Sequence, residues 1–211
     1  MKLLKIRQNT PEWYTMRRTK IGASDCAGII LKNPYITPYR TWEKKLYGDK
    51  EESNEDIKRG HTLEKEARDW ISKKHCVEYQ DVCAESEERP WQIASLDCFY
   101  GDGDTILSGE IKSPREAKLK RIKKEGIPDY WLWQMQHQMS VTGALKMFFL
   151  AYTKDDQHLV WVNRNQEMID YLNEMERVFY YEHMLTFSPP PLTDEEKRYN
   201  QTLLELESYA Q

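Results

Sequence analysis

This sequence predicts an α/β fold on three observations. Two strand-like segments, residues 92–100 and 105–112, flank the turn Gly101-Asp102-Gly103-Asp104. Segments with apolar residues at helical spacing lie on both sides of that hairpin. A second pair of strand-like segments, 145–153 and 158–163, follows them, with Lys154-Asp155-Asp156-Gln157 between its arms.

In chain order, Thr10-Pro11-Glu12 opens the first helix: a capping residue, Pro at the first helical position, then an acid in the first turn. Residues 13–18 follow in it. Residues 21–25 read as a second start, with Ser24 as N-cap of a helix through 30. Residues 33–39 form a loop, 42–47 a helix and 49–56 a charged connector. The helix over 58–74 carries the stripe Leu63, Ala67, Trp70 and Ile71, with Glu64 and Glu66 on either side of it. Periodicity does not choose between those two acids. Residues 77–82 are a first strand before the central hairpin. Pro114 stops the chain after Lys112, and a basic helix follows. Gly126-Ile127-Pro128 separates it from a helix over 130–142 capped by Asp129. In that helix Leu132, Met135, Met139 and Gly143 share a face with Gln136 in its middle, while Gln134 points nearly opposite. A Gln inside an apolar stripe needs partners, supplied by the core or by a nearby polar site. Residues 167–185 form a long amphipathic helix built on Met168, Tyr171, Leu172, Met175, Val178 and Phe179, and Pro189-Pro190-Pro191 ends it. Residues 193–211 are acidic and helical in pattern, a peripheral helix or a tail for packing against another subunit.

The central hairpin carries the chemistry. A two-residue turn at Gly103-Asp104 puts Asp97 opposite Glu110. A turn at Asp102-Gly103 puts Asp97 opposite Ser108, still on the face of Glu110, whereas a three-residue loop reverses the relation. Lys112 shares that face, and Ile111 points to a core. The run Ile106-Leu107-Ser108-Gly109-Glu110-Ile111 suits a covered strand. A covered strand holds Asp, Glu and Lys together only with a partner or a metal. Hard oxygen ligands favour Mg²⁺ or Mn²⁺. Asp97, Glu110 and the main-chain carbonyl of Ile111 are the candidate ligands. Lys112 is the candidate for orienting a metal-bound water or stabilising developing charge. The competing reading is a solvated face with a cross-strand salt bridge.

The chain has 211 residues, the size of one domain with an appended tail, and a formal net charge of −4. Global charge does not mark a nucleic-acid binder, so any DNA contact needs a local basic region. Lys112, Arg115, Lys118, Lys120, Arg121, Lys123 and Lys124 form one, with a solvated helix face as the competing reading. Arg17 and Ser24, at a helix start, form a modest phosphate-binding signal. Cys26, Cys76, Cys83 and Cys98 show no CxxC pair and follow no secretory signal, so they read as reduced thiols of a cytoplasmic protein, with no zinc or iron–sulfur site. No apolar run is long enough to span a membrane.

The order of elements, with Asp and Glu-x-Lys on adjacent strands, resembles the PD-(D/E)xK nuclease superfamily. More narrowly it is similar to the lambda exonuclease, or YqaJ-type viral recombinase, family. Trp13-Tyr14-Thr15-Met16-Arg17 with Ile21-Gly22-Ala23-Ser24 resembles its N-terminal signature. Arg59-Gly60-His61-Thr62-Leu63-Glu64 resembles its G-x-x-x-E helix, which selects Glu64 over Glu66. Ser95-Leu96-Asp97 stands where the family has Ser-Pro-Asp. Glu110-Ile111-Lys112-Ser113-Pro114 and Trp131-Leu132-Trp133-Gln134-Met135-Gln136 resemble its catalytic strand end and its Gln-x-Gln helix.

The resemblance implies a restriction-endonuclease-like core, a mixed central sheet flanked by helices. The resemblance covers roughly the first three quarters of the chain and fades after about residue 163; the chain as a whole reads as a single nuclease domain over 1–188, with its core at about 58–163, and a helical tail over 189–211. The resemblance implies a 5′→3′ exonuclease on double-stranded DNA ends that needs Mg²⁺, with Mn²⁺ able to substitute, and that leaves a 3′ strand for a single-strand annealing protein. A toroidal trimer and a phage or prophage origin in a bacterial cytoplasm are implied too. Asp97, Glu110 and Ile111 then hold the metal and Lys112 positions the water. Glu64 orients metal-bound waters, and Gln136, with Gln134 as second choice, supports the site. Arg17 and Ser24 hold the 5′-phosphate, and Lys118, Lys120, Arg121, Lys123 and Lys124 contact backbone. The alternatives are a restriction-type or resolvase-like endonuclease, which would cut closed circles, and a catalytically silent DNA-binding module.

Overall fold

The computed structural model describes residues 1–48, 55–102 and 105–209. The expected connector over 49–56 and the turn residues Gly103 and Asp104 fall wholly or largely outside them. A mixed sheet runs in the order β1 (Lys2–Leu4), β3 (Gln80–Glu85), β4 (Gln92–Asp102), β5 (Thr105–Lys112), β6 (Lys146–Tyr152) and β7 (Gln157–Asn163). A short β2 (Ile21–Gly22) adds to β4 in parallel. The β5–β6 pair is also parallel. A parallel step needs a crossover, which α5 (Glu116–Glu125) and α6 (Asp129–Thr142) provide.

The expected register of the central hairpin is present. Cys98 pairs with Gly109, Phe99 with Ser108 and Asp102 with Thr105, so one step further Asp97 stands opposite Glu110. On its other side β4 is irregular. Leu96 pairs with Val82 and Phe99 with Gln80, so three steps along β4 face two along β3. Leu96 and Phe99 therefore pack in one cluster. A bulge of this kind re-aims a side chain, and here it falls at Asp97.

The sheet is covered on both faces. Leu63, Ala67 and Ile71 of α4 (Glu55–His75) pack on Ile111, Phe148 and Leu150. On the other face Leu119 and Ile122 of α5 and Met135 and Met139 of α6 pack on Leu96, Met147 and Phe149. Successive residues of β5 thus face opposite helices: Ile111 enters the α4 side while Glu110 meets α6. A third cluster joins Ile21, Cys26, Ile29 and Trp42 to Leu172 and Phe179.

Several boundaries differ from expectation. The strand expected at 77–82 lies at β3, because α4 runs on to His75 and Cys76 turns the chain at a φ of 54°. β1 and β2 are too short to show a period. Helix α1 (Pro11–Thr19) is capped as expected, Thr10 Oγ1 accepting from Trp13 N–H at 3.3 Å. Helix α2 (Ala23–Ile29) is capped at Gly22 rather than Ser24, since the Gly22 N–H already donates to Asp25 Oδ2 at 2.8 Å. Ser24 is thereby an exposed first-turn residue. Helix α3 (Pro38–Tyr47) starts before residue 42 because Thr37 caps it and Pro38 suits its first turn. Helix α7 (Gln166–Val178) buries Ile169 and Leu172 rather than Met168 or Tyr171, and the chain then widens into a π-helical segment, Phe179–Met184. Helix α8 (Asp194–Tyr209) is tied down near its start, where Glu196 Oε1 accepts from Thr37 Oγ1 at 2.6 Å.

His137 pins α6 to the sheet. It is fully buried; Nε2 meets the Ile93 carbonyl at 3.0 Å and Nδ1 meets Glu176 Oε1 at 2.7 Å. Gln92 Nε2 donates to Glu176 Oε2 at 2.6 Å. Both ring nitrogens face acceptors, so the imidazolium satisfies them. Burial pulls His137 down, but Glu176, the Ile93 carbonyl and Asp25 outweigh it, and the net shift is upward.

Two outcomes follow from this packing. A raised folded value means the pair's stabilisation is complete below the unfolded His value, about pH 6.5, and fades as pH rises through the folded value. Against a His137→Asn/Glu176→Gln double variant, the wild-type advantage in Tm is therefore greatest in mild acid and shrinks toward alkaline pH. Gly109→Ala places a Cβ 2.1 Å from Phe148 Cε2, inside a fully buried ring. It should destabilise by about 1–3 kcal/mol, read as a lower denaturant midpoint.

Candidate active site

Glu110 is the centre of the site and is 1% exposed. Lys112 Nζ lies 2.5 Å from its Oε1, and Gln134 Nε2 donates to the same oxygen at 2.6 Å. Gln138 Nε2 donates to Oε2 at 2.6 Å and leans on the Ser95 carbonyl at 3.3 Å. Asp97 Oδ2 accepts the Ile111 N–H at 2.8 Å, fastening the bulge of β4 to the end of β5. Arg68 reaches in from α4. Its Nε donates to the Asp97 carbonyl at 2.6 Å, its Nη2 to Glu64 Oε1 at 2.8 Å and its Nη1 to Asp81 Oδ1 at 2.7 Å.

Burial, then the Glu110 and Glu64 charges, push the Asp97 carboxyl well above the usual carboxylate range. Burial pulls the Lys112 ammonium down, but Glu110, Asp97 and Glu64 outweigh it and the net shift is upward. With the Arg68 guanidinium on Glu64, three acids face two cations, and the remaining negative charge among hard oxygens is what a divalent cation neutralises. The buried Oε1 of Gln138, without a hydrogen-bond partner among the described residues, adds a further polar atom beside Glu110. The donor set fits Mg²⁺ or Mn²⁺.

A cleft of about 530 Å³ opens beside these residues, its lining including Glu64, Lys112, Arg115, Lys118 and Trp131. Lys118 Nζ sits 4.4 Å from the Trp131 ring centroid and donates to Tyr130 Oη at 3.0 Å. Lys118 is thus at the cleft, while Lys120, Arg121, Lys123 and Lys124 lie on the exposed face of α5. Arg121 pairs with Glu125 at 2.6 Å and Lys123 with Asp156 at 2.5 Å.

The N-terminal pair also meets. Arg17 Nη2 donates to Ser24 Oγ at 2.8 Å, with Asp25 at 3.6 Å. Lys45 Nζ donates to Asp25 Oδ2 at 2.5 Å and to the Arg17 carbonyl at 2.7 Å. Burial opposes ionisation of Asp25, but Lys45 and Arg17 outweigh it and hold the carboxyl below its usual range.

Gln136 is elsewhere. Its Nε2 donates to the Asn163 carbonyl at 3.0 Å, and its Oε1 accepts from Asn165 N–H at 2.8 Å. Two residues turn a helix by about 200°, so Gln134 and Gln136 diverge, whereas Gln134 and Gln138 align. The apolar stripe misled because the second half of α6 is buried on every side. Gln138, Arg68 and Lys45 are additions to the expected set; the four-residue spacings Gln134–Gln138 and Glu64–Arg68 were the available signals. Among the described residues another group of metal-type donors, Cys26, His137 and Glu176, is buried. Its His and Glu are matched to each other, to Ile93 and to Gln92, as in an ordinary polar network.

A mixed sheet with Asp and Glu-x-Lys on neighbouring strands, closed by a glutamine-bearing helix, defines the PD-(D/E)xK class of α/β protein. The chain belongs to the YqaJ-like viral recombinase domain family, whose profile matches residues 12–145. It is 28% identical over 190 residues to the uncharacterized protein YqaJ of Bacillus subtilis strain 168. That match takes in 86% of this chain but 58% of the relative. The fold matches the alkaline exonuclease LHK-Exo of Laribacter hongkongensis with a TM-score of 0.70 at 23% identity, over 93% of this chain and 100% of that one. A phage-related exonuclease of Haemophilus somnus 129PT matches with a TM-score of 0.53 at 16% identity, over 80% of this chain and 96% of that one. Among the described residues no helix is long and apolar enough to cross a membrane.

The two glutamines should separate by assay. Gln136→Leu removes two hydrogen bonds at the corner between β7 and α7 and should lower stability by about 1–3 kcal/mol without changing divalent-ion affinity in calorimetry. Gln138→Leu strips a donor from Glu110 and should weaken that affinity about 10- to 100-fold.

Proposed function

We propose that this protein is a metal-dependent 5′→3′ exonuclease acting on double-stranded DNA ends. The observation that carries the reading is the buried Glu110 carboxylate, held by Lys112, Gln134 and Gln138 beside an Asp97 carboxyl pushed upward by burial and then by its acidic neighbours. Asp97, Glu110 and the Ile111 carbonyl would hold Mg²⁺, or Mn²⁺ in its place, and an ion held there would supply polarisation of the scissile phosphate and a more acidic water. Lys112, whose ammonium lies against Glu110, serves as a hydrogen-bond donor to water or developing charge. Glu64, steadied by Arg68, orients waters at the rim of the site. Lys118, with Lys120, Arg121, Lys123 and Lys124, contacts the DNA backbone. Arg17 and Ser24 take the 5′-phosphate, with Lys45 and Asp25 setting the Arg17 position.

The family supports this reading, and so does the fold shared with LHK-Exo, whose structure was solved with dAMP. The product is a 3′ single strand for an annealing protein in phage-type recombination, in a bacterial cytoplasm and encoded by a phage or prophage. A toroidal trimer reconciles an acidic chain with DNA, since basic residues line a channel while acids face outward. In this reading residues 1–188 are the nuclease domain, with the core at about 58–163, and 189–211 its helical tail.

The test is digestion of linear duplex with and without a 5′-phosphate, against a closed circular control, in Mg²⁺ or EDTA. Degradation of linear DNA alone, with Mg²⁺ alone and from the 5′ end, is expected. Lys112→Ala should lower the rate by about 100- to 1,000-fold while sparing end binding in a gel shift. Full activity of that variant, or cutting of closed circles, overturns the assignment.

A further inference from the structure

Arg17, of the proposed 5′-phosphate-binding pair, and Asp97 and Glu110, the proposed metal ligands, are joined by a short contact chain. The Arg17 guanidinium lies over the Trp13 ring, 4.6 Å from its centroid. The edge of the same indole is fixed, because Trp13 Nε1–H donates to Ser95 Oγ at 2.8 Å. Trp13 is 9% exposed, so water competes little for that bond. Ser95 stands on β4 two residues before Asp97, and its carbonyl accepts from Gln138 Nε2, the group that also holds Glu110. Two surfaces of one indole thus touch the two sites: its face sets the guanidinium, and its N–H sets the strand that carries Asp97.

We propose that Trp13 and Ser95 are positioning residues that set the spacing between the bound 5′-phosphate and the scissile phosphate. This rests on the reading of Arg17 and Ser24 as the end-binding pair. A terminal phosphate held by Arg17 aids hydrolysis only if the next phosphodiester reaches Asp97 and Glu110 in register, and a misplacement of about 1 Å is costly to a rate. Just before α1, Gln8 Nε2 donates to the Leu96 carbonyl at 3.3 Å, and within the sheet Cys83 Sγ of β3 approaches Ser95 Oγ at 3.8 Å. The Trp13–Ser95 bond joins α1 itself to β4, and its indole also touches Arg17.

The readout is the ratio of kcat/KM on 5′-phosphorylated to 5′-hydroxyl duplex ends. Ser95→Ala removes one oxygen and leaves the carbonyl for Gln138; Trp13→Phe keeps a ring under Arg17 and removes the N–H. Loss of one hydrogen bond should reduce the 5′-phosphate preference about three- to tenfold in each variant. The double variant should lose no more than either single one, because both delete the same bond. A purely structural role would lower both rates together and leave the ratio intact. Thermal melts confirm that each variant is folded, and Ser95→Ala is the milder change should Trp13→Phe melt early. A wild-type preference that survives in Ser95→Ala, or additive losses in the double variant, overturns the inference alone. A wild-type protein indifferent to the 5′-phosphate removes the end-binding reading and the coupling with it.

Discussion

Like charges gathered on a covered sheet face are the constraint around which the rest of the structure is arranged. Asp97 and Glu110 lie on adjacent strands between two layers of helices, with Glu64 nearby. Carboxylates out of water repel and lose hydration, so each needs compensation from fixed donors or cations. Every surrounding element supplies one. β5 offers the Ile111 N–H and Lys112, α6 offers Gln134 and Gln138, and α4 offers Arg68. Gly109 belongs to the same arrangement: any side chain there would strike Phe148, and β5 and β6 could not pair closely enough to seat Glu110 against α6.

Supports of this kind hold only if their own elements are fixed, and the second polar network does that. His137 neighbours both Gln136 and Gln138 in sequence and locks α6 to β4 and α7 through Ile93 and Glu176. Gln136 locks the same helix to the start of α7. Helix α6 therefore divides its polar side chains by direction: Gln134 and Gln138 face the acids, while Gln136 and His137 face structure. A helix buried on all sides can specify its rotation through such bonds, where an apolar stripe alone would leave it ambiguous.

The hairpin register, the common face of Asp97, Glu110 and Lys112, the α4 stripe and the second strand pair were legible in the sequence because each rests on local periodicity. The partners in the site were legible only where spacing is local too. Gln138 was overlooked because hydrophobic patterning assumes an exposed face, and α6 in this region has none. Arg68 bonds across to β3 and β4, which no window along α4 reveals. The bulge at Asp97 arises from pairing with β3, a strand whose start was itself misplaced. Capping at Gly22 rather than Ser24 turned on one aspartate, Asp25, reaching back to a main-chain N–H.

The competing reading of the central hairpin is a cross-strand salt bridge, whereas the ion pair present, Lys112–Glu110, lies within β5. What separates the readings is the surroundings of that pair. A solvated pair contributes little and needs no further donors. Here Glu110 is buried and takes two amide donors besides Lys112, and a second carboxyl is crowded beside it. Replacing a buried ion pair by apolar residues of similar volume is often neutral or stabilising, so a purely structural role gives little reason to keep charges there. An extra acid is held against the pair, with a cationic cleft beside it, and a structural ion pair gives neither of them a role, whereas the proposed divalent cation and phosphate would.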